Sequence, residues 1–229
     1  YASRLRSYRD LPLRFAEMTT VYRDEQAGEL LGLNRVRSIT QDDAHVFCRP
    51  NQIQEEISRI LKSISQFYAA FDFILSTRLS LRDPKHPEKY LGTDEIWNNA
   101  EKILEEALIA NNFPTPEKAH GEAAFYGPKI DFTAKDSLGR TWQLATAQLD
   151  FNMPDRFELT YTAEDGSKQR PVMIHRAILG SFERFIAVLL EHYNGNLPLW
   201  LSPIQVAVLP ISEDQHEYAQ DVIDVLKAT

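Results

Sequence analysis

The feature that most constrains the fold is a series of strand-like segments joined by short turns in the second half of the chain. The apolar residues there change from a helical to a strand-like period. The segments are 129–135, 141–151, 157–162 and 171–175, and turn signals lie at 136–139 (DSLG), 152–155 (NMPD) and 164–166 (EDG). Because connections this short join antiparallel neighbours, the region predicts an antiparallel sheet. A helix is predicted to follow, from about Ala177 to Tyr193.

The first half of the chain alternates strands and helices. Residues 15–23 and 35–40 are rich in β-branched and aromatic residues, and the loop between them carries two glycines, so they predict an antiparallel pair. An apolar stripe with the helical period runs through 52–76, and a second helix is predicted from an N-cap at Thr93 to about Asn112. Antiparallel strands interleaved with helices predict an α+β fold.

The composition limits the class of protein. Hydrophobic residues make up 43% of the 229 residues, which suffices for a core, and no apolar run is long enough to cross a bilayer. The net charge of −8 argues against a positively charged coat for generic nucleic-acid binding. The N-terminal residues lack the apolar region of a signal peptide, and the single cysteine, Cys48, fits a reducing compartment. We therefore expect a cytoplasmic protein with no membrane partner.

The ends of the chain suggest that it is a piece of a longer protein. It begins at Tyr1 rather than Met and ends inside a helical pattern. Residues 194–203 have the composition of a linker. Beyond them, 204–211 predicts a strand and 217–227 predicts a helix, which together indicate the opening of a separate α/β domain.

Arginine dominates the positive charge of the first 50 residues, which contain eight arginines and no lysine. Glu25 follows Arg23 by two positions, so both side chains lie on one face of an extended chain. An arginine fork there suits phosphate or carboxylate, and the alternative interpretation is a surface ion pair. Arg35 and Arg37 share one face of the next predicted strand. The same two interpretations stay open for them.

Two strand-like segments carry polar side chains that could line a ligand pocket. Gln41, Asp43 and His45 share one face if the chain is extended. His45 beside a carboxylate is either a metal ligand or a hydrogen-bonded structural histidine. Residues 141–148 alternate uncharged hydrogen-bonding groups with small residues, as either a pocket floor or a plain edge strand does.

The last polar element joins a strand to a helix. His175 ends the strand, and the helix carries Gly180 and the pair Glu183–Arg184 in its first turns. Glycine permits a close approach by a ligand or backbone, and a helix N-terminus favours anions. A solvated helix face is the alternative.

Five longer segments carry a more specific signal over residues 1–200. They are YRDLPLRFAEM (8–18), RVRSITQDDAHVFC (35–48), FYGPKIDF (125–132), QLDF (148–151) and VMIHRAILGSFERF (172–185). Together they resemble the threonyl-tRNA synthetases, and the Arg23 and Gly180–Arg184 regions resemble motifs 2 and 3 of the class II aminoacyl-tRNA synthetases. The resemblance implies a class II synthetase-like antiparallel sheet flanked by helices over 1–200, with motif 1 missing. Residues 201–229 are similar to the beginning of an anticodon-binding domain.

The resemblance also implies a reaction and a set of roles. ATP and threonine would form threonyl-adenylate, and the threonyl group would pass to the 3′ end of threonine tRNA. The family pattern assigns Arg23 and Arg184 to catalysis, Arg23, Glu25, Arg35 and Arg184 to ATP, and Gln41, Asp43, Tyr126, Gln143, Thr146 and Gln148 to the substrate. Mg²⁺ would accompany ATP, and a homodimer is expected through regions outside this chain.

A zinc ion that binds the amino acid itself is the family's unusual feature. His45 and His175 match its two histidine ligands, and the family's third ligand is a cysteine expected before Tyr1. Asp43 would accept from the threonine hydroxyl, and an isosteric methyl group would leave that carboxylate unpaired. Rival interpretations are another class II synthetase, such as the seryl or prolyl enzyme, and a non-catalytic regulator or RNA-binding module.

Overall fold

The structure is a computed structural model that describes residues 1–228, and within that range its centre is a sheet of seven strands. The strands of this sheet, together with β7 and β8 outside it, are β1 (Leu13–Tyr22), β2 (Ser38–Cys48), β3 (Ser76–Leu81), β4 (Glu117–His120), β5 (Lys129–Lys135), β6 (Thr141–Asp150), β7 (Tyr161–Thr162), β8 (Lys168–Gln169) and β9 (Val172–Ala177). The helices are α1 (Ile53–Ala69), α2 (Asp94–Ala110), α3 (Asn152–Arg156), α4 (Phe182–His192) and α5 (His216–Lys227).

The order across the sheet is β1-β2-β9-β6-β5-β3-β4. All neighbouring strands are antiparallel except β3 and β4, which are parallel. The short β7 and β8 form a separate hairpin. The prediction of an α+β fold with an antiparallel sheet flanked by helices is therefore confirmed.

β1 and β2 form the predicted antiparallel pair at one edge of the sheet. The predicted bounds 35–40 for the second strand are wrong, because β2 begins at Ser38 and continues to Cys48. Its polar middle stays extended because β1 pairs with its whole length and β9 pairs with its second half. Arg35 and Arg37 consequently lie in the loop before β2 rather than on a strand.

Helices α1 and α2 pack on one face of the sheet and form the main core with it. The fully buried side chains of this core are Ile57, Leu61 and Ile64 of α1, Leu104 and Leu108 of α2, and Ile130 and Phe132 of β5. Since side chains alternate along a strand, Lys129 and Asp131 of β5 project from the opposite face. That opposite face carries the polar residues discussed below.

Both helices end near a residue with a left-handed backbone, which terminates the helical hydrogen bonding. α1 ends at Ala69 rather than at the predicted residue 76, because Asp72 has a φ of 57°. α2 ends close to the predicted position, and Asn112 has a φ of 60°. The predicted N-cap of α2 is confirmed, since the Thr93 hydroxyl accepts from the Ile96 N–H at 3.4 Å.

Two strands of the sheet were not predicted from the sequence. β3 begins at Ser76, where the prediction still placed helix 52–76. Its Ser80 is fully buried and donates to Asp131, so the strand lacks the simple alternation that would have identified it. β4 is only four residues long and pairs with β3 at the sheet edge.

The predicted hairpin of β5 and β6 is confirmed, and Gly139 in its turn has a φ of 78°. The turn predicted at 152–155 is instead the helix α3. It forms because the Asp150 carboxylate accepts from the N–H groups of Asn152 and Met153 at 2.8 and 2.9 Å. The strand predicted at 157–162 is accordingly reduced to the two residues of β7.

Helix α4 begins at Phe182 and not at Ala177, as predicted. The delay has a clear cause, because the Asp42 carboxylate accepts from the N–H groups of Ile178, Leu179 and Gly180, at distances from 2.8 to 3.1 Å. Because Asp42 binds these N–H groups, residues 178–180 form a loop, and the helix begins after the Ser181 side chain caps it.

The C-terminal segment differs from its prediction in one respect. The helix predicted at 217–227 is confirmed as α5, but 204–211 does not form a strand. A strand needs a hydrogen-bonded neighbour, and no described residue pairs with this segment. Its side chains are exposed, including Leu209 at 83% and Ile211 at 94%. None of the helices in residues 1–228 has the length and hydropathy to cross a membrane.

Candidate active site

One cavity on the sheet face opposite α1 and α2 collects seven of the residues to which the family resemblance assigns a role. Its volume is about 190 Å³. These seven residues are Arg23, Glu25, Arg35, Gln41, Gln143, Thr146 and Arg184. We call this the arginine cavity. It brings together the loop after β1, the loop before β2, the strands β2 and β6, and the helix α4.

Three guanidinium groups meet in the arginine cavity. Arg184 is partly buried, and its Nε donates to the Asn34 carbonyl at 2.9 Å. Burial lowers the pKa of Arg184, and the neighbouring charges of Arg23 and Arg35 lower the pKa further. Three like charges that repel one another in a half-closed space create a site that a polyanion would stabilise.

Arg35 and Glu25 are engaged with each other in this structure. Arg35 Nε and Nη2 lie 2.9 and 2.8 Å from Glu25 Oε2, and this contact lowers the pKa of Glu25. Arg37 donates to the backbone carbonyl of Glu25 at 3.0 Å. Arg23 has no ion-pair partner among residues 1–228, so its guanidinium is available to a ligand.

The predicted metal residues lie side by side on two neighbouring strands. His45 on β2 is directly opposite His175 on β9, with ring centroids 4.8 Å apart. Gln148 on β6 is opposite His175 on the other side. We call His45, His175 and Gln148 the histidine row. Burial, and then the charge of His175, lowers the pKa of His45, which favours the neutral imidazole.

Asp43 and Tyr126 border the histidine row. Asp43 Oδ2 is 3.9 Å from His45 Nδ1, and the Tyr126 ring lies 5.3 Å from the His175 ring. Burial raises the pKa of the Tyr126 hydroxyl, and the carboxylates of Asp150 and Asp43 raise it further. These groups form a cluster of polar side chains in which a hydroxyl and an amino group would both find partners.

The donor set fits part of a zinc site. The two imidazoles supply two nitrogen ligands, and His175 Nε2 lies 2.9 Å from the buried Asp150 Oδ2, which leaves Nδ1 for a metal. No group of three His, Cys, Asp or Glu in residues 1–228 has metal-ligand geometry. Cys48 is not a third ligand, because it is fully buried in the core and burial raises its pKa to about 12.

Three buried aspartates behind the site were missed from the sequence. Asp42 binds the loop before α4, Asp131 lies under the arginine cavity, and Asp150 binds His175. Asp131 and Asp150 are fully buried, and Asp42 is 7% exposed. The signal that could have found them is an acidic residue inside an otherwise buried strand, where a charge needs several partners.

The backbone geometry in the same region explains why residue 180 is a glycine. Its φ is 73°, and a Cβ at this position would lie 2.5 Å from the Leu144 carbonyl oxygen. The residue before the cap of α4 must therefore be glycine for the helix to approach β6 this closely. The predicted close approach is thus one of backbone to backbone.

Comparisons with known proteins identify the family. Residues 1–193 match the family model of the tRNA synthetase class II core domain (G, H, P, S and T). The chain belongs to this family. Within it, the chain is 56% identical over 227 residues to the threonine–tRNA ligase of Cytophaga hutchinsonii and 53% identical over 230 residues to that of Chlorobium phaeovibrioides. The resemblance to the threonyl-tRNA synthetases is therefore confirmed.

The two alignments cover 99% of this chain, but only 35% and 34% of the two relatives. The chain thus spans about a third of the length of the curated relatives that it matches. Among solved structures, the RNA binding domain of threonyl-tRNA synthetase from Cryptosporidium parvum superposes with a TM-score of 0.89 and 46% identity, over 97% of this chain and 55% of that one. A prolyl-tRNA synthetase of the same organism has a TM-score of 0.67 at 20% identity, over 98% of this chain and 40% of that one, which shows the shared fold alone.

Proposed function

We propose that the protein carrying this chain activates threonine with ATP and transfers it to threonine tRNA. The observation that carries the proposal is the joining of two sites on one sheet face, the arginine cavity and the histidine row. The threonine–tRNA ligase relatives support threonine as the amino acid. The chemistry needs an anion site beside an amino-acid site, and the presence of the two groups on one sheet face supports that arrangement.

The arginine cavity would bind ATP. Within residues 1–228, Arg23 is the one guanidinium of the three that makes neither an ion pair nor a side-chain hydrogen bond, and it would offset the charge that develops on the α-phosphate. Arg35 and Arg184 would hold the γ-phosphate, with Mg²⁺ on the phosphate oxygens, and Glu25 would accept from the adenine amino group. For that role the Glu25 carboxylate must share its oxygens between Arg35 and the base. Gln41, Gln143, Thr146 and Gln148 would contact the adenylate or the threonyl group.

The histidine row would bind threonine through zinc. His45 and His175 would hold the ion, and a ligand from outside the described residues would complete the site, since these two histidines alone do not. A bound zinc can accept the amino and hydroxyl groups of threonine by expanding its coordination. Asp43 would accept the hydroxyl hydrogen, and Tyr126 lies beside His175, near the place expected for the amino group. Valine has a methyl group in place of the hydroxyl, so it would leave Asp43 and the zinc position for the hydroxyl unpaired.

Amino-acid-dependent ATP–pyrophosphate exchange in the complete gene product tests the proposal. Exchange with threonine, and little with valine, is the expected result. Exchange with serine or proline but not threonine would contradict it and favour another class II synthetase. Transfer to unfractionated tRNA, followed by identification of the charged species, tests the second step.

A non-catalytic role as a regulator or RNA-binding module is the second candidate. The clustering of three guanidinium groups in one cavity favours the enzyme, because a small polyanion such as ATP would relieve their mutual repulsion. ATP binding that disappears in Arg23→Ala would support the enzyme. Unchanged ATP binding in that variant would remove the main argument for catalysis.

We further propose that 201–229 begin an anticodon-binding domain. The family match ends at residue 193, and the exposed apolar side chains of 204–211 need a partner to cover them. A homodimer in the cytoplasm is part of the same proposal, and sedimentation of the complete gene product and cell fractionation would test these two points.

A further inference from the structure

The arginine cavity and the histidine row are separate groups of side chains, and one residue contacts both the lining of the cavity and a lysine that is paired with the row. Asp131 on β5 is fully buried on the site face of the sheet. It follows Lys129 by two positions, so both side chains project from the same face. Lys129 is opposite Gln148, and Asp131 is opposite Thr146. Asp131 therefore lies where the two groups adjoin.

The two carboxylate oxygens of Asp131 have different partners. Oδ1 accepts from Gln143 Nε2 at 2.7 Å and from Thr146 Oγ1 at 3.1 Å, and both of these residues line the arginine cavity. Oδ2 accepts from Ser80 Oγ at 2.7 Å and from the ammonium of Lys129, whose backbone is paired opposite Gln148 of the histidine row. Arg78 adds a more distant charge at 3.8 Å.

A buried carboxylate is costly unless its oxygens are well paired, so this network has a strong physical effect on its neighbours. The amide of Gln143 and the hydroxyl of Thr146 could rotate freely in an open cavity. Bonded to one fixed oxygen, they keep one orientation, and Lys129 is held on the other oxygen. The same carboxylate therefore fixes two side chains of the arginine cavity and the lysine paired with the histidine row.

We propose that Asp131 is a positioning residue that holds the nucleotide side and the amino-acid side of the site in one geometry. The inference rests on the proposed function, because it concerns where ATP and threonine meet. It extends that function by naming the group that couples the two binding regions. Asp131 itself is fully buried and does not reach a ligand.

Asp131→Asn isolates this role because it keeps the shape and changes one atom. The amide oxygen can still accept from Gln143 and Thr146. The amide nitrogen then replaces the oxygen that accepts from Lys129, so two donors face each other and the ammonium must move. Asp136→Asn is the matched control. Asp136 is a buried carboxylate in the turn of the same β5–β6 hairpin, bound to Arg140 and Trp142 and remote from the cavity lining.

The experiment is threonine-dependent ATP–pyrophosphate exchange in the complete gene product, with thermal unfolding of each variant. We expect Asp131→Asn to raise the KM for both ATP and threonine by about tenfold, since small displacements of positioning groups have large effects. Asp136→Asn should lower Tm by a similar amount and leave both KM values within about twofold of the wild type. A KM change in both variants, or in neither, overturns the proposal.

If Asp131→Asn does not fold, Ser80→Ala provides the test of the proposal. It removes one hydrogen bond to Oδ2 and leaves the charge, so a rise of about threefold in both KM values is expected. Unchanged KM values in Ser80→Ala would overturn the proposal. A wild type without threonine-dependent exchange would overturn the proposed function itself. An active wild type with unaffected variants would overturn only the role of Asp131.

Discussion

The two groups of site residues are held in place by different parts of the fold. The histidine row lies on three adjacent strands, where register alone places His45, His175 and Gln148 opposite one another. The arginine cavity takes Arg23 and Arg35 from loops and Arg184 from the first turn of a helix. Strand register is rigid to within a residue, whereas loop side chains adjust.

The difference indicates which part is formed before the ligand arrives. Behind the histidine row stands a fully buried carboxylate, Asp150, that fixes the His175 ring. In the arginine cavity the guanidinium groups repel one another, and Arg35 is neutralised by Glu25. We expect the amino-acid side to be preformed and the phosphate side to take its final arrangement when an anion binds.

Arg23→Ala should have the largest effect and should act on the phosphate side alone. Arg23 is proposed to offset charge on the reacting phosphate, so its loss is expected to lower kcat/KM for ATP by about a thousandfold in pyrophosphate exchange. Metal content should not change. Arg59→Ala, which removes an exposed arginine paired with Glu55 on α1, is the control. An equal loss in both variants would contradict the assignment.

His175→Ala should affect the histidine row and not the arginine cavity. Losing an imidazole ligand is expected to remove the bound zinc and to raise the threonine KM by at least about a hundredfold. ATP binding, measured by calorimetry, should stay near the wild-type value. His86→Ala is the control, since His86 is also beside an acid, Glu88, but far from the site. A wild type that contains no zinc would end the metal proposal.

Asp150→Asn should have a smaller effect on the same side. The Asn Oδ1 can still accept from the N–H groups of α3, but its nitrogen faces His175 Nε2. The imidazole must then accept there and carry its proton on Nδ1, which blocks a metal. We expect about tenfold weaker zinc binding in a competition assay with a chelator. Unchanged zinc affinity would show that register alone orients the ring.

The sequence was enough to predict the α+β class, the β1–β2 pair and the β5–β6 hairpin, because these depend on local alternation and turn residues. It was also enough to choose side chains that the fold brings together, such as Gln41 and Gln143 in the arginine cavity. The finer roles of these residues stay predictions.

What could not be predicted depends on partners that are distant in the chain. The start of α4 is delayed by Asp42, which is 136 residues from Ile178. The strand β3 is obscured because its Ser80 binds a carboxylate on β5, 51 residues away. Such pairings are created by the assembled sheet, and no local pattern encodes them.

Of the four substitutions that compare the arginine cavity with the histidine row, Gly180→Ala should have the smallest effect. It tests whether the arginine cavity, which is held by loops, can adjust or is rigid. A Cβ would meet the Leu144 carbonyl at 2.5 Å, and the left-handed backbone costs about 1 kcal/mol in alanine. The loop must shift, and Arg184 four residues later should shift with it. We expect the ATP KM to rise by about fivefold, which corresponds to about 1 kcal/mol, with the threonine KM unchanged.

Gly166→Ala is the matched control for that variant. Gly166 has a φ of 82° in the β7–β8 turn, and no atom lies within 4 Å of its added Cβ. It carries the same backbone strain without the clash, so both variants should lose some thermal stability and only Gly180→Ala should change the ATP KM. If the threonine KM rose as well, the two sides would move together, and the contrast between a preformed and an adjustable side would be wrong. If neither KM changed, the arginine cavity would be as rigid as the strands beneath it.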